Sequence, residues 1–218
     1  MNTTNLRFAI AIDGPAASGK STLARLLAER LGLVMVNSGA MYRAVTWKVL
    51  QEGISPADAD AVVALLNRTR LDCGDNGTFS TIAVDGRPLD EELRSEAVNA
   101  NVSAVSAIPA VRERLVALQR DYLNRTSIVM EGRDIGTVVF PDTPYKLYVT
   151  ACEKVRAARR TDVGEVDSVT ARDAADSQRA TAPLKVAEGA TVLDTTHHTI
   201  ESGVEAALEI LKAQGLPL

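Results

Sequence analysis

The chain has 218 residues, 46% of them hydrophobic, which suits one α/β domain able to bury a sizeable core. Its net charge of −4 argues against nonspecific binding to nucleic acid or an anionic membrane, and no stretch approaches the roughly 20 apolar residues that span a bilayer. Cys73 and Cys152 have no metal-ligand spacing and read as reduced thiols, predicting a cytoplasmic protein, and the polar start Met1-Asn2-Thr3-Thr4-Asn5 is unlike a signal peptide.

The first predicted element is a strand over 8–12, Phe8-Ala9-Ile10-Ala11-Ile12. Gly14-Pro15-Ala16-Ala17-Ser18-Gly19-Lys20-Ser21 follows, a complete G-x-x-x-x-G-K-[ST] phosphate loop. A helix is predicted over 20–31, with Leu23, Leu26, Leu27 and Leu31 on one face. Strand, glycine loop and helix N-terminus form the geometry that turns successive N–H groups onto phosphate oxygens. Lys20 is placed to reach the β- and γ-phosphates, and the Ser21 hydroxyl to ligate Mg²⁺. Residues 14–21, with Thr22 beside them, are therefore the expected nucleoside triphosphate site.

A strand over 33–36 and a helix over 39–52 come next, with Ser38 as the expected N-cap and Arg43 in the first turns. Residues 68–95 break the α/β pattern. Asp75-Asn76-Gly77 and Asp85-Gly86 are hairpin signals, and Thr78 to Val84 favours β structure, so a small antiparallel insertion is predicted. Helical segments follow over 97–105 and from Pro109 through Val111, Leu115, Leu118 and Tyr122. A strand over 128–130 ends in Glu131-Gly132-Arg133-Asp134-Ile135-Gly136. This is poor core design but suits a ligand site, with Arg133 for a phosphate and Asp134 for a polar group. The remaining elements are a strand over 146–149, a helix over 153–160, a strand over 191–193 and a helix over 200–213. The alternation predicts a parallel sheet flanked by helices, with ligands at the carboxyl ends of its strands.

Arginine dominates the basic residues, 18 against 6 lysines, and its planar fork matches phosphate oxygens. Arg156, Arg159 and Arg160 share one helical face. The stretch from Thr161 to Ala171 has no apolar stripe to dock it, which suggests a flap with arginines at both ends, Arg172 and Arg179 on the far side. His197-His198 reads as a solvated loop pair. Together these features predict phosphoryl transfer to a small anionic acceptor. A phosphate monoester with its second pKa near ~6 is largely dianionic at neutral pH and needs no strong general base.

These residues are similar to those of the bacterial cytidylate kinases, the (d)CMP kinases of the nucleoside monophosphate kinase group. The likeness runs over essentially the whole chain. It is carried by Ile12-Asp13-Gly14-Pro15 with Gly19-Lys20-Ser21, by Ser38-Gly39-Ala40-Met41-Tyr42-Arg43, by Pro109-Ala110-Val111-Arg112, and by Arg179-Ala180-Thr181-Ala182-Pro183-Leu184. Its most specific string is Gly132-Arg133-Asp134-Ile135-Gly136-Thr137-Val138-Val139-Phe140-Pro141-Asp142.

The resemblance implies a P-loop nucleoside monophosphate kinase fold in one domain. Its core would be 6–66 and 106–218, with an acceptor-binding β insertion over about 67–105 and a short lid over about 156–179. It implies transfer of the terminal phosphoryl group of ATP to CMP or dCMP, with Mg²⁺. Ser38, Ser103, Arg112, Asp134 and Arg179 would surround the cytosine, Arg172 and Asp176 would meet the pentose, and Arg43 and Arg133 the acceptor phosphate. Lys20, Arg133, Arg156, Arg160 and Arg172 are the expected catalytic groups. The lid is shorter than in many relatives, and Ala175 and Ser177 stand where arginines often do. A kinase of the same architecture with another acceptor is the alternative; an N-K-x-D guanine motif and an L-S-G-G-Q motif are both absent from the sequence. No long apolar helix face or edge strand stands out, so a monomer is expected.

Overall fold

The computed structural model describes residues 7–162, 169–179 and 181–217, and the backbone alone for 160–162 and 169–172. The first strand, β1 (Ala9–Asp13), is buried along its whole length, as a central parallel strand covered on both faces should be. Ile10 and Ile12 pack with Leu23 and Leu27 of α1 (Lys20–Leu31) and with Val204, Leu208 and Leu211 of α8 (Ile200–Ala213). Ala9 and Ala11 face the other way, onto Val116 of α5 (Pro109–Asp121), Tyr122 and Ile135. This alternation puts one helical layer on each face of the sheet.

The five-stranded sheet has the order β2-β6-β1-β7-β8, with β2 (Val34–Asn37), β6 (Ile128–Gly132), β7 (Lys146–Thr150) and β8 (Thr191–Asp194) all parallel to their neighbours. Its register sets Asp13 opposite Gly132 and Asn37 opposite Glu131, so the phosphate loop and the Glu131–Asp134 segment leave adjacent strand tips together. Gly14 is required there: at φ 154° a Cβ would stand 2.0 Å from the Val149 carbonyl oxygen.

A second, antiparallel sheet joins β3 (Leu71–Asp75), β4 (Ser80–Val84) and β5 (Arg87–Pro88). Asp85 and Gly86 both have positive φ, 52° and 82°, which matches the right-handed twist of a two-residue hairpin. This sheet packs on α2 (Ser38–Gln51), α3 (Ala59–Arg68) and α4 (Glu96–Ala107) through Val45, Val49, Leu65, Ile82, Val84, Val102 and Val105.

Several expectations need correction. The helix α3 was not anticipated. Its N-cap Asp58 accepts from Ala61 N–H, and Val62, Leu65 and Leu66 form its buried face. Ser38 is not the N-cap of α2. Asn37 holds that place, accepting from Ala40 N–H, and so frees the Ser38 hydroxyl to donate to the Glu131 carbonyl at 2.8 Å. Ile135–Val139, to which no element was assigned, forms a single π-helical turn. The expected flap over 161–171 is helical at both ends, in α6 (Glu153–Asp162) and α7 (Val169–Ser177); 163–168 lie outside the described residues.

Candidate active site

Two cavities meet at the phosphate loop, and Ala17, Lys20 and Ser21 line both. Within the loop, Ala17 adopts a left-handed φ of 56° and Gly19, the N-cap of α1, one of 88°. Lys20 is 6% exposed and its ammonium donates to the Pro15 carbonyl at 3.0 Å, inside the curl of the loop. The Ser21 hydroxyl donates to Glu131 Oε1 at 3.0 Å, and Glu131 is itself buried. A hydroxyl and a carboxylate oxygen side by side form the hard oxygen donor set that suits Mg²⁺.

The first cavity, about 240 Å³, lies between the loop, α2, α4, α5 and the tip of β6. Its lining brings together the predicted Ser38, Arg43, Ser103, Arg112, Arg133, Asp134, Asp176 and Arg179. It holds five cations (Lys20, Arg43, Arg112, Arg133 and Arg179) against three carboxylates (Glu131, Asp134 and Asp176), an excess of positive charge suited to an anionic ligand. Gly132 makes room at the tip, since a Cβ there would stand 2.5 Å from Ser38 Oγ.

Three of the five cations, Arg112, Arg133 and Arg179, are held in ion pairs with Asp134 and Asp176. Arg112 donates to Asp134, both almost fully buried, and also to the Ser106 carbonyl at 3.2 Å. The Arg112 guanidinium lies 5.3 Å over the Tyr42 ring, and burial pushes the Tyr42 hydroxyl up to about 12. Asp176, 2% exposed, receives Arg133 at 2.8 Å on one oxygen and Arg179 on the other. Burial draws the Arg179 guanidinium below its ordinary value, partly opposed by Asp176. Arg43 donates to the Leu93 carbonyl at 2.9 Å and to Asn99 Oδ1 at 2.5 Å. The side chains of Arg160 and Arg172 lie outside the described residues.

The second cavity, about 450 Å³, lies behind the loop between Arg159, Thr195, His198, Ile200 and Val204. Arg159 lines it while donating to the Ser18 carbonyl at 3.3 Å and to Thr195 Oγ1 and carbonyl oxygen, each at 3.0 Å. Arg156 grips the same loop one turn earlier, donating to the Ala16 carbonyl at 3.1 Å and pairing with Asp173, whose Oδ1 accepts from Ala16 N–H at 2.9 Å. Neither Arg156 nor Asp173 lines either cavity.

The sequence assigns no role to Glu131, Asp173 or Thr195, and places Arg159 only on the arginine face of the expected flap. Glu131 had a readable signal, an acid closing an apolar run at a strand tip. Thr195 and Asp173 had none, because their place beside the loop depends on how distant segments fold back.

A sequence-family profile described as cytidylate kinase matches residues 10–213. The chain is 39% identical to a cytidylate kinase of Clostridium botulinum strain Langeland over 95% of this chain and 99% of that one. It is 42% identical to a cytidylate kinase of Caldanaerobacter subterraneus subsp. tengcongensis, covering 95% and 96%, and 44% identical to one of Corynebacterium efficiens, covering 94% of each. Among solved structures, a gluconokinase from Sinorhizobium meliloti 1021 superposes with a TM-score of 0.51 at 14% identity, covering 95% of this chain and 93% of that one, a likeness of fold alone. With this profile and these relatives covering nearly its whole length, the chain belongs to the cytidylate kinase family.

Proposed function

We propose that this protein transfers the terminal phosphoryl group of ATP to CMP or dCMP, giving ADP and CDP or dCDP. One observation carries the reading. The phosphate loop and the buried Arg112–Asp134 pair face the same cavity of about 240 Å³, so a nucleotide base and a reacting phosphate can be held there together.

In this reading the triphosphate lies along the loop with its nucleoside in the cavity lined by Arg159. Asp134 accepts from the cytosine N4 amine while Arg112, Ser103 and Arg179 serve the acceptor edge. Uracil carries an oxygen where cytosine carries the amine, and would face the carboxylate with nothing to donate. Asp176 and Arg172 take the pentose, tolerating either sugar. Arg43 and Arg133 turn to the acceptor phosphate; since Arg133 is held by Asp176, pentose and phosphate binding are linked.

An oxygen of the dianionic acceptor phosphate attacks the γ-phosphorus directly. The new P–O bond forms as the bond to the bridging β–γ oxygen breaks, and ADP leaves with the electron pair. Lys20, exchanging the Pro15 carbonyl for phosphate oxygens, and the arginines stabilise the charge in transit. Ser21 and Glu131 would hold Mg²⁺, which supplies further charge neutralisation of the phosphates.

We assign acceptor binding to the insertion over about 67–105 and lid function to about 156–179. There Arg156, Arg160, Arg172 and Arg179 would close over the transferring group. No described helix is long and apolar enough to cross a membrane. The proposed working form is a cytoplasmic monomer acting on small molecules. An ADP-release assay with ATP, Mg²⁺ and cytidine nucleotides tests the reading.

A further inference from the structure

The tip of β6 carries Arg133 and Asp134 between two glycines, Gly132 and Gly136, so the local backbone alone does little to fix the pair. The restraint comes from the neighbouring strand. Asp13, the last residue of β1, is 3% exposed and lines neither cavity. Its Oδ1 accepts from the N–H of Ile135 and its Oδ2 from the N–H of Gly136, each at 2.7 Å. These are the first two N–H groups of the π turn, which no side chain within the turn caps. The carboxylate thus takes two of the orphan donors at a helical N-terminus. Gly136 permits the approach, since a Cβ there would lie 3.3 Å from Asp13 Oδ2 and 3.2 Å from Ala187 Cβ.

The burial is costly. Loss of water pushes the Asp13 carboxyl up to about 6 even though both backbone bonds favour the ion. Among the described residues it has no ion-pair partner. Arg133 is spent on Asp176, and Lys146, packed nearby, directs its ammonium to the Pro141 and Glu188 carbonyls. An unpaired buried carboxylate is a poor device for stability but a good one for holding a turn in one geometry. Both of its hydrogen bonds go to the turn after β6, and among the described residues neither goes to the phosphate loop that begins one residue later.

We propose that Asp13 is a positioning residue that pins the Arg133–Asp134 turn to the strand bearing the phosphate loop, and so sets where the acceptor sits relative to the transferring phosphoryl group. The inference rests on the reading of Arg133 and Asp134 as acceptor contacts. Displacing an acceptor by a fraction of an ångström lowers turnover without weakening donor binding.

The test compares wild type, Asp13→Asn and Gly136→Ala. Asp13→Asn keeps the shape but sets an amide N–H₂ against a backbone N–H. Gly136→Ala sets a Cβ 3.3 Å from Asp13 Oδ2 and 3.2 Å from Ala187 Cβ, crowding the same contact from the turn. Steady-state kinetics with CMP and with ATP varied are run beside binding of a fluorescent ATP analogue and thermal melting. Both variants should lose roughly 10- to 100-fold in kcat/KM for CMP. Their KM for ATP and their affinity for the analogue should stay within about twofold of wild type. Should Asp13→Asn fail to fold, Gly136→Ala decides. A KM for ATP or an analogue affinity weakened as much as kcat/KM for CMP, or unchanged CMP kinetics in folded variants, overturns the tether while an active wild type leaves the proposed function standing. A wild type that binds the analogue but phosphorylates no cytidine nucleotide overturns both.

Discussion

Asp134→Asn separates base reading from general damage. In the structure Asp134 is 5% exposed and accepts from Arg112, itself 3% exposed, whose guanidinium also donates to the Ser106 carbonyl and lies over the Tyr42 ring. Asparagine keeps the shape and one acceptor oxygen but removes the charge. A hydrogen bond to a charged group contributes about 1.5–3 kcal/mol, so losing that charge opposite the cytosine amine should cost roughly 10- to 150-fold in kcat/KM for CMP. For UMP the change has the opposite character: the carboxylate repels O4, and the asparagine amide can rotate to donate to it. The CMP-to-UMP preference should therefore fall by at least roughly 10-fold. Steady-state ADP release with each nucleotide gives both values, and thermal melts show how much loss comes from uncovering Arg112. Equal proportional losses on the two nucleotides would refute base reading by Asp134.

Further outcomes follow from neighbouring contacts. Glu131→Gln removes the carboxylate beside Ser21 and should raise the Mg²⁺ concentration for half-maximal activity by about 10-fold or more; an unmoved midpoint would contradict the proposed cation site. Gly14→Ala drives a Cβ to 2.0 Å from the Val149 carbonyl, so the loop must shift off β7; its denaturation midpoint should drop with a loss above about 3 kcal/mol, and a wild-type midpoint would contradict this geometry. Asp13 gives a pH signature in the protein without substrate. Its midpoint is about 6 folded against 3.8 unfolded, so the folded protein takes up the proton first as pH falls. Acidifying from pH 7 to 4 should stabilise wild type relative to Asp13→Asn by up to about 3 kcal/mol, from roughly two pH units at 1.36 kcal/mol each. Denaturant melts check it, and a difference that is flat or reversed in sign would contradict the buried, unpaired carboxylate.

The phosphate loop was legible because its chemistry demands consecutive residues in fixed spacing between a strand and a helix. The Asp85-Gly86 hairpin was legible for a similar reason, since two positive φ values in succession select the residues. What stayed hidden depends on tertiary partners. Ile135-Gly136-Thr137-Val138-Val139 has no helical signal of its own, and its π turn is capped by Asp13, 122 positions earlier. The helix α3 was overlooked because Pro56-Ala57-Asp58-Ala59-Asp60 reads as loop, although Val62, Leu65 and Leu66 carry the helical spacing. Asn37 and Ser38 are both competent caps, and only the Glu131 carbonyl opposite Ser38 decides between them. Candidate site residues were nameable one by one, but their pairing was not. Asp176 shared by Arg133 and Arg179 is set by how α7 folds back onto the residue that follows β6.

The most direct test of the central claim is coupled ADP release from ATP and Mg²⁺ with CMP, dCMP, UMP, AMP and GMP offered separately. The account predicts turnover confined mainly to CMP and dCMP. Turnover on UMP alone, or on none of the five, would contradict the acceptor pocket built around Arg112 and Asp134.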